Sequence, residues 1–365
     1  MKHIDRFSDP ENARILLSMI HSEARGIKKV VNLMEVCGTH TMAISRFGLR
    51  GLLPENIKLI SGPGCPVCVS PNSFIDKAIA ISKLNDVRIA TFGDMYRVPS
   101  ANSSLEKEHS RGAIIDIVYS PLDALEIARN KTREKIVFLG VGFETTAPLV
   151  ASVIKYAKKY KINNFAVLSG HKLIPPAMEA LVKDTHHSIG GFICPGHVSV
   201  VIGARPYEIF PKNYGIPCVI SGFEPCDILQ SILLLLEMIT GKRAISVKIQ
   251  YSRCVTRNGN ITAQKMMDDV FDVVDSEWRG IGIIPSSGLA IKKQYAEYNA
   301  EHVMNVETKI SHDKKGCICG DVLKGLKTPR NCVFFAKKCT PQYPMGPCMV
   351  SSEGTCAAYY AYERR

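Results

Sequence analysis

The sequence lacks what would carry it out of the cell or into a membrane. Its opening, MKHIDRFSDPEN, mixes both charge signs and a proline where an export signal needs an apolar stretch. The most apolar run, Ile228 to Ile239, is twelve residues long and contains Gln230, Ser231 and Glu237, far short of the ~20 apolar residues of a bilayer span. Both absences predict a cytoplasmic protein with no membrane partner and a core helix at that run. The chain also lacks a G-x-x-x-x-G-K-[ST] phosphate loop, so any use of ATP would be unconventional.

What is present begins with size and sulfur. At 365 residues, 46% hydrophobic and 22% charged, the chain folds around a core and is long enough for two or three domains. Thirteen cysteines without an export signal point to metal or thiol chemistry, because the cytosol keeps thiols reduced. Six lie between Cys317 and Cys356, three at Cys37, Cys65 and Cys68, and four are scattered. Two separate sites are expected. The scattered Cys218, Cys226 and Cys254 are expected to pack as small hydrophobes.

The net charge of +12 is uneven: residues 309 to 365 hold ten Lys or Arg against four Asp or Glu. That tail lacks the aromatic and basic interleaving of a nucleic-acid platform. A lysine-rich surround for an anionic cluster, or an acidic protein partner, explains the same residues.

From about residue 30 to 240, short β-branched runs alternate with amphipathic ones, the pattern of a parallel sheet covered by helices. The candidate strands VVNLMEV, IKLIS, VRIATF, AIIDIVY, KIVFLGV, NFAVLS, GGFIC and PCVIS end near 36, 61, 92, 120, 141, 169, 194 and 221. VGFET at 141 is echoed by SGFEP at 221, and GPGC at 62 by CPGH at 194, which suggests duplication. The fold class is therefore α/β, with two doubly wound parallel-sheet domains over 1–120 and 121–241. A C-terminal region over 242–365, loop-rich from about Lys314, follows. Ser70-Pro71 predicts a helix start, and Glu224 to Thr240 a long helix ended by Gly241. A turn and helix are expected over 258–275.

The tail has too few apolar residues for a core of its own and is expected to need its metal to fold. Zinc modules favour C-x2-4-C pairs, and the only close tail pair is Cys317-x-Cys319. A cubane iron-sulfur cluster accepts four cysteines at irregular spacing. Spacing alone leaves open which four of the six would bind it.

In the body, Cys37 stands where a strand ends and a helix begins, in MEVCGTH. Helix N-termini favour anions, so its thiol would be partly ionised, the more so if His40 were protonated. The plainer alternative is a buried cysteine with Thr39 as a cap. Cys65-Pro-Val-Cys68, entered through Gly-Pro-Gly, has the placement of a thioredoxin-like dithiol, with half of a zinc site as the alternative. Asp94, Glu144 and His197 also sit in glycine-marked turns past strand ends, where ligand crevices form in open α/β sheets.

These turns, in this order, resemble the HypD family of hydrogenase maturation proteins: CGTH at 37, GPGCPVC at 62, FGDMYRVP at 92, GFETTAP at 142, PGHVS at 195, GFEPCDIL at 222, GCICGDVL at 316 and TPQYPMGPCMVSSEGTCAA at 340. The resemblance implies a role in making the Fe(CN)2CO unit of nickel-iron hydrogenase, with the small chaperone HypC and the cyanide donor HypE, and an electron donor that it does not identify. It implies a [4Fe-4S] cluster on Cys317, Cys332, Cys339 and Cys356, with Cys319 and Cys348 as a non-ligand pair. Cys37 would hold the transient iron that receives cyanide and carbon monoxide, together with a HypC cysteine. Cys65 and Cys68 would cycle between dithiol and disulfide. His40, Asp94, Glu144 and His197 would surround the crevice. The competing readings are an iron-sulfur-dependent protein disulfide reductase and a passive interaction module stabilised by zinc.

Overall fold

The computed structural model describes residues 7–101, 103–184, 188–308, 311 and 314–364; the first six residues of the opening read for an export signal lie outside them. Eight parallel strands match the eight sequence candidates: β1 Val31–Glu35, β2 Ile57–Ser61, β3 Val87–Thr91, β4 Ile114–Ile117, β5 Lys135–Gly140, β6 Phe165–Ser169, β7 Ile189–Pro195 and β8 Cys218–Ser221. A ninth, β9 Val247–Ile249, extends the first sheet. The first sheet runs β2-β1-β7-β8-β9 and the second β4-β3-β5-β6, every pair parallel. Central strands β5 and β8 are buried almost throughout, whereas edge strand β2 alternates.

Neither sheet is contained within residues 1–120 or 121–241. The chain lays down two strands of the first sheet, builds the whole second sheet, then returns to finish the first. The length of a strand-helix unit fixes how many units there are, not which neighbour each strand pairs with. Counted within its own sheet, the first follows the winding 2-1-3-4-5 and the second 2-1-3-4, so each has a switch point, at β1/β7 and at β3/β5. The short sequence echoes fall on non-equivalent strands (β5 with β8, β2 with β7), so shared winding, and not the echoes, is the likeness between the halves.

Helix ends follow local chemistry. Asp9 caps Pro10–Ala24, accepting from the N–H groups of Glu11 and Asn12, and Ser120 with Asp123 forms a capping box before Pro121. Glu224 and Asp227 do the same for Pro225–Ile239, and Gly241 at φ +79° ends that helix. The helix is a core element against the first sheet, and among the described residues no helix is long and apolar enough to cross a membrane. Ser70 does not cap Asn72–Ser82: its hydroxyl donates to Pro66 O, because a short helix, Pro66–Val69, already occupies that stretch.

Residues 242–365 are not one module. The helix over 258–275 stops at Val270, and the chain continues into an antiparallel hairpin, β10 Phe271–Trp278 with β11 Gly282–Ile291. The β-branched run Val270-Phe-Asp-Val-Val suits a strand better than the helix expected there. The hairpin meets the second sheet through Lys172↔Gly288 and Leu173 N–H to Ser287 O at 2.9 Å. The tail packs at the C-terminal end of the first sheet: Cys319, Leu323 and Cys348 share a hydrophobic cluster with Met34, Val36 and Val67. Helix Thr355–Tyr362 is held by Arg50, which pairs with Glu363 at 2.6 Å and lies over the Tyr359 ring at 4.8 Å. The tail therefore borrows the body's core.

The only tryptophan pins the hairpin to this core. Trp278 is fully buried, stacks on Phe143 with centroids 6.1 Å apart, and donates its indole N–H to Ser287 Oγ at 2.8 Å. Trp278→Ala is expected to cost about 3–5 kcal/mol in urea unfolding followed by circular dichroism. A loss below about 1 kcal/mol would contradict that packing role.

Candidate thiol site at the sheet ends

Cys37 stands just past β1, at the switch point of the first sheet, and is the N-cap of helix Gly38–Arg46. Gly38 N–H donates to Gly64 O at 2.9 Å, and a Cβ on Gly64 would lie 2.1 Å from the Cys37 nitrogen. Only glycine lets the GPGC turn lie against the CGTH turn. The segment folds as the sequence predicts, but its electrostatics differ. Burial, then the negative charges of Glu353 and Glu35, push the Cys37 thiol up to about 12, outweighing the amides of His40 and Thr39. His40 cannot supply a positive charge at neutral pH: it is fully buried, held near 4 by desolvation, and hydrogen-bonds Gly222 O through Nε2 at 2.8 Å. In the free protein Cys37 is therefore a protonated thiol.

An aromatic and carboxylate wall surrounds it. Phe223, after β8, stacks with His197 at 4.1 Å and meets His40 at 4.8 Å, so both sequence-predicted histidines share one ring. His197 is exposed at the edge of the site, and its pKa is lowered mainly by partial desolvation. Sequence reasoning missed two carboxylates. Glu35, fully buried and raised to about 7 by desolvation, accepts from Cys37 N–H at 3.2 Å and Thr41 Oγ1 at 2.5 Å. Glu353 accepts from Thr39 Oγ1 at 2.6 Å, and its Cβ lies where a Cβ on Gly38 would have to go. Both stand inside quoted motifs, MEVCGTH and SSEGTC, which were the available signal.

Cys65 caps helix Pro66–Val69, its sulfur accepting from Cys68 N–H at 3.3 Å. Both thiols are buried, at 3% and 0% exposure. Beyond them the separation expected between body and tail cysteines disappears. The Cys348 thiol neighbours those of Cys319, Cys356 and Cys68, and these neighbours together lower its pKa well below the usual range. The Cys68 thiol, whose pKa is raised mainly by burial, lies beside both Cys348 and Cys65. A run of thiols thus leads from the dithiol into the tail. It exists because the Pro347–Met349 turn seats against Pro66–Val69, a contact that no spacing along the chain announces.

All six tail cysteines line one cavity, whose other walls are apolar: Ile318, Val322, Phe334, Phe335, Met345 and Met349 among them. Met345 N–H donates to Cys339 Sγ at 3.4 Å. Among the described residues no three His, Cys, Asp or Glu side chains are grouped to hold a single ion. A cubane cluster instead takes its thiolates on different irons, around a volume. The soft donors and the apolar walls suit the chemistry of such a cluster, and Cys317, Cys332, Cys339 and Cys356 all line the cavity.

The other predicted residues fall elsewhere. Asp94 is half-buried in the short helix Gly93–Arg97 after β3, where Arg97 donates to Pro341 O of the tail at 2.5 Å. Glu144 lies at the second switch point, buried, with Oε1 accepting from Ile174 N–H at 3.0 Å and Oε2 without a hydrogen-bond partner among the described residues. Tyr207, also buried, is near enough for the charge of Glu144 to be felt there. Cys218 and Cys226 are buried as expected; Cys254 is exposed, in the turn after β9, and so does not pack as a hydrophobe.

Comparison with known proteins gives one answer. The HypD family profile, described as "Hydrogenase formation hypA family", matches residues 11–363. Hydrogenase maturation factor HypD of Cupriavidus necator is 46% identical, over 100% of this chain and 98% of its own length. Hydrogenase expression/formation protein HupD of Azotobacter chroococcum is 45% identical over 100% and 98%. A putative hydrogenase expression/formation protein of Methanocaldococcus jannaschii is 40% identical over 95% and 96%.

Glu144 gives a pH-dependent prediction. Burial raises its folded pKa from 4.5 to about 7, so the folded state keeps a proton that the unfolded state releases across that interval. Its contribution is complete below pH 4.5 and is lost as pH rises through about 7. Glu144→Gln can keep the Ile174 bond without the charge. Relative to the parent it should gain up to about 3 kcal/mol at pH 8.5 and little at pH 5. Equal differences at both pH values would contradict a buried, raised carboxyl.

Proposed function

This chain belongs to the HypD family of hydrogenase maturation factors, and on that premise we propose that it is the scaffold on which the Fe(CN)2CO unit of nickel-iron hydrogenase is assembled. Its partners are a HypC-like small chaperone and a HypE-like cyanide donor. Cys37 holds the iron being built, which is the cargo, together with a cysteine of the chaperone. Binding must displace the Cys37 proton, so loading is linked to proton release. Phe223, His40, His197 and Glu353 wall the site.

Cys317, Cys332, Cys339 and Cys356 hold a [4Fe-4S] cluster, which when bound supplies electrons one at a time. Cys65 and Cys68 store two electrons as a dithiol beside the Cys37 turn. The observation that carries this reading is the run of neighbouring thiols from Cys65 and Cys68 through Cys348 to Cys319 and Cys356. It joins the tail cavity to the dithiol without exposing either. The disulfide-reductase alternative needs a dithiol that a partner protein can reach, and the burial of Cys65 and Cys68 argues against it.

Purified without oxygen, the protein is expected to contain about four iron and four sulfide per chain. Cys332→Ala should lose them. Cys37→Ala should keep them, yet lose the infrared bands of iron-bound cyanide and carbon monoxide when isolated with its chaperone. One zinc without sulfide defeats the cluster assignment; retained bands in Cys37→Ala place the assembly iron elsewhere.

A further inference from the structure

We propose that the surface over the tail cysteines is the docking site for an acidic protein that carries one electron at a time. The inference rests on the reading that these cysteines hold a redox cofactor, and it adds the chemistry of the partner that feeds it.

From Lys314 to Met345 the chain has seven Lys or Arg and one acid, Asp321, which Lys327 holds at 3.0 Å. None of the seven lines the cysteine cavity, whose walls carry no charged side chain. Lys314, Lys315, Lys337 and Lys338 are exposed. They do not neutralise the cavity from within, so of the two explanations for the basic tail, the outward-facing one fits.

These lysines frame an apolar centre. Val333 is 65% exposed and Tyr343 77%. Gly316, next to Lys315, packs against Val333 and the Phe334 ring, with a Cβ position 3.8 and 3.0 Å away, so Lys314 and Lys315 stand beside the loop that carries Lys337 and Lys338. Lys314 Nζ also reaches Met345 Sδ at 3.7 Å. Phe334 and Met345 line the cavity while Val333 faces out, so the surface and the cavity are the two sides of one loop. A positive rim around a small apolar centre suits a weak, fast redox encounter with an acidic partner, steered by charge. Each encounter oxidises the carrier by one electron. Two electrons and two solvent protons convert the Cys65–Cys68 disulfide into two thiols.

The test uses the full chain, kept anaerobic, and plant-type ferredoxin as the acidic probe, with association measured by titration calorimetry across salt concentrations. Binding should weaken steeply with salt, and Lys337→Glu with Lys338→Glu should weaken it about tenfold at low salt. Lys28→Glu with Lys29→Glu, exposed at the opposite end of the first sheet, should leave it unchanged. Unchanged binding in the tail variant, equal weakening in the control, or binding only of a single-stranded oligonucleotide overturns the proposal. Iron and sulfide on the same samples separate the two readings. Cluster present with charge-insensitive binding sinks the docking surface alone. Charge-dependent binding without a cluster supports the surface and sinks the cofactor.

Discussion

The packing of the Pro347–Met349 turn on Pro66–Val69, which sets the Cys348 thiol beside that of Cys68, turns two groups of cysteines into one site. It depends on the tail being seated on the C-terminal end of the first sheet, which requires several features together: the Arg50 to Glu363 pair, the Thr355–Tyr362 helix against Gly38–Arg46, and Gly325 close to Met34 and Ile60. A tail folded as an independent metal module would have no reason to share the cluster of Met34, Val36 and Val67. Its sharing explains how so loop-rich a segment is ordered.

The same seating governs the chemistry of Cys37. Glu353 arrives from the tail to lie over Gly38 and bond Thr39, while Glu35 rises from β1 beneath the turn. Enclosed between two carboxyl groups and cut off from water, the thiol keeps its proton. Such a site resists stray oxidation and alkylation when empty, because the thiolate is the reactive form. A metal cation would reverse the balance, since both neighbouring carboxylates favour positive charge and oppose thiolate alone.

Much of this was legible in the sequence. All eight strand candidates form, because β-branched runs bounded by glycine are strong local signals, and Cys37, Cys65, His197 and Glu144 stand past strand ends as the pattern predicts. What was not legible is non-local. Strand order is decided by pairing, so β7 joins β1 rather than β6, the strand just before it, and β8 then adds to β7. The hairpin β10–β11 lay inside a stretch read as helix. The pKa of Cys37 follows from burial and from the charge of Glu353, more than 300 positions away, which a helix-dipole argument from MEVCGTH cannot include. The meeting of Cys68 with Cys348 is of the same kind.

The central claim is that the tail cysteines and the Cys65–Cys68 pair form one redox path through Cys348. It is tested most directly by oxidising the dithiol, adding a one-electron reductant to the anaerobic protein, and following free thiols at Cys65 and Cys68 by quenched alkylation and mass spectrometry. The parent should regain both thiols quickly. Cys348→Ser, with its iron content unchanged, should regain them at least about tenfold more slowly, because a serine hydroxyl fits the turn but cannot exchange with a disulfide. Equal rates in the two proteins would show that electrons reach the dithiol by another route and would contradict the account.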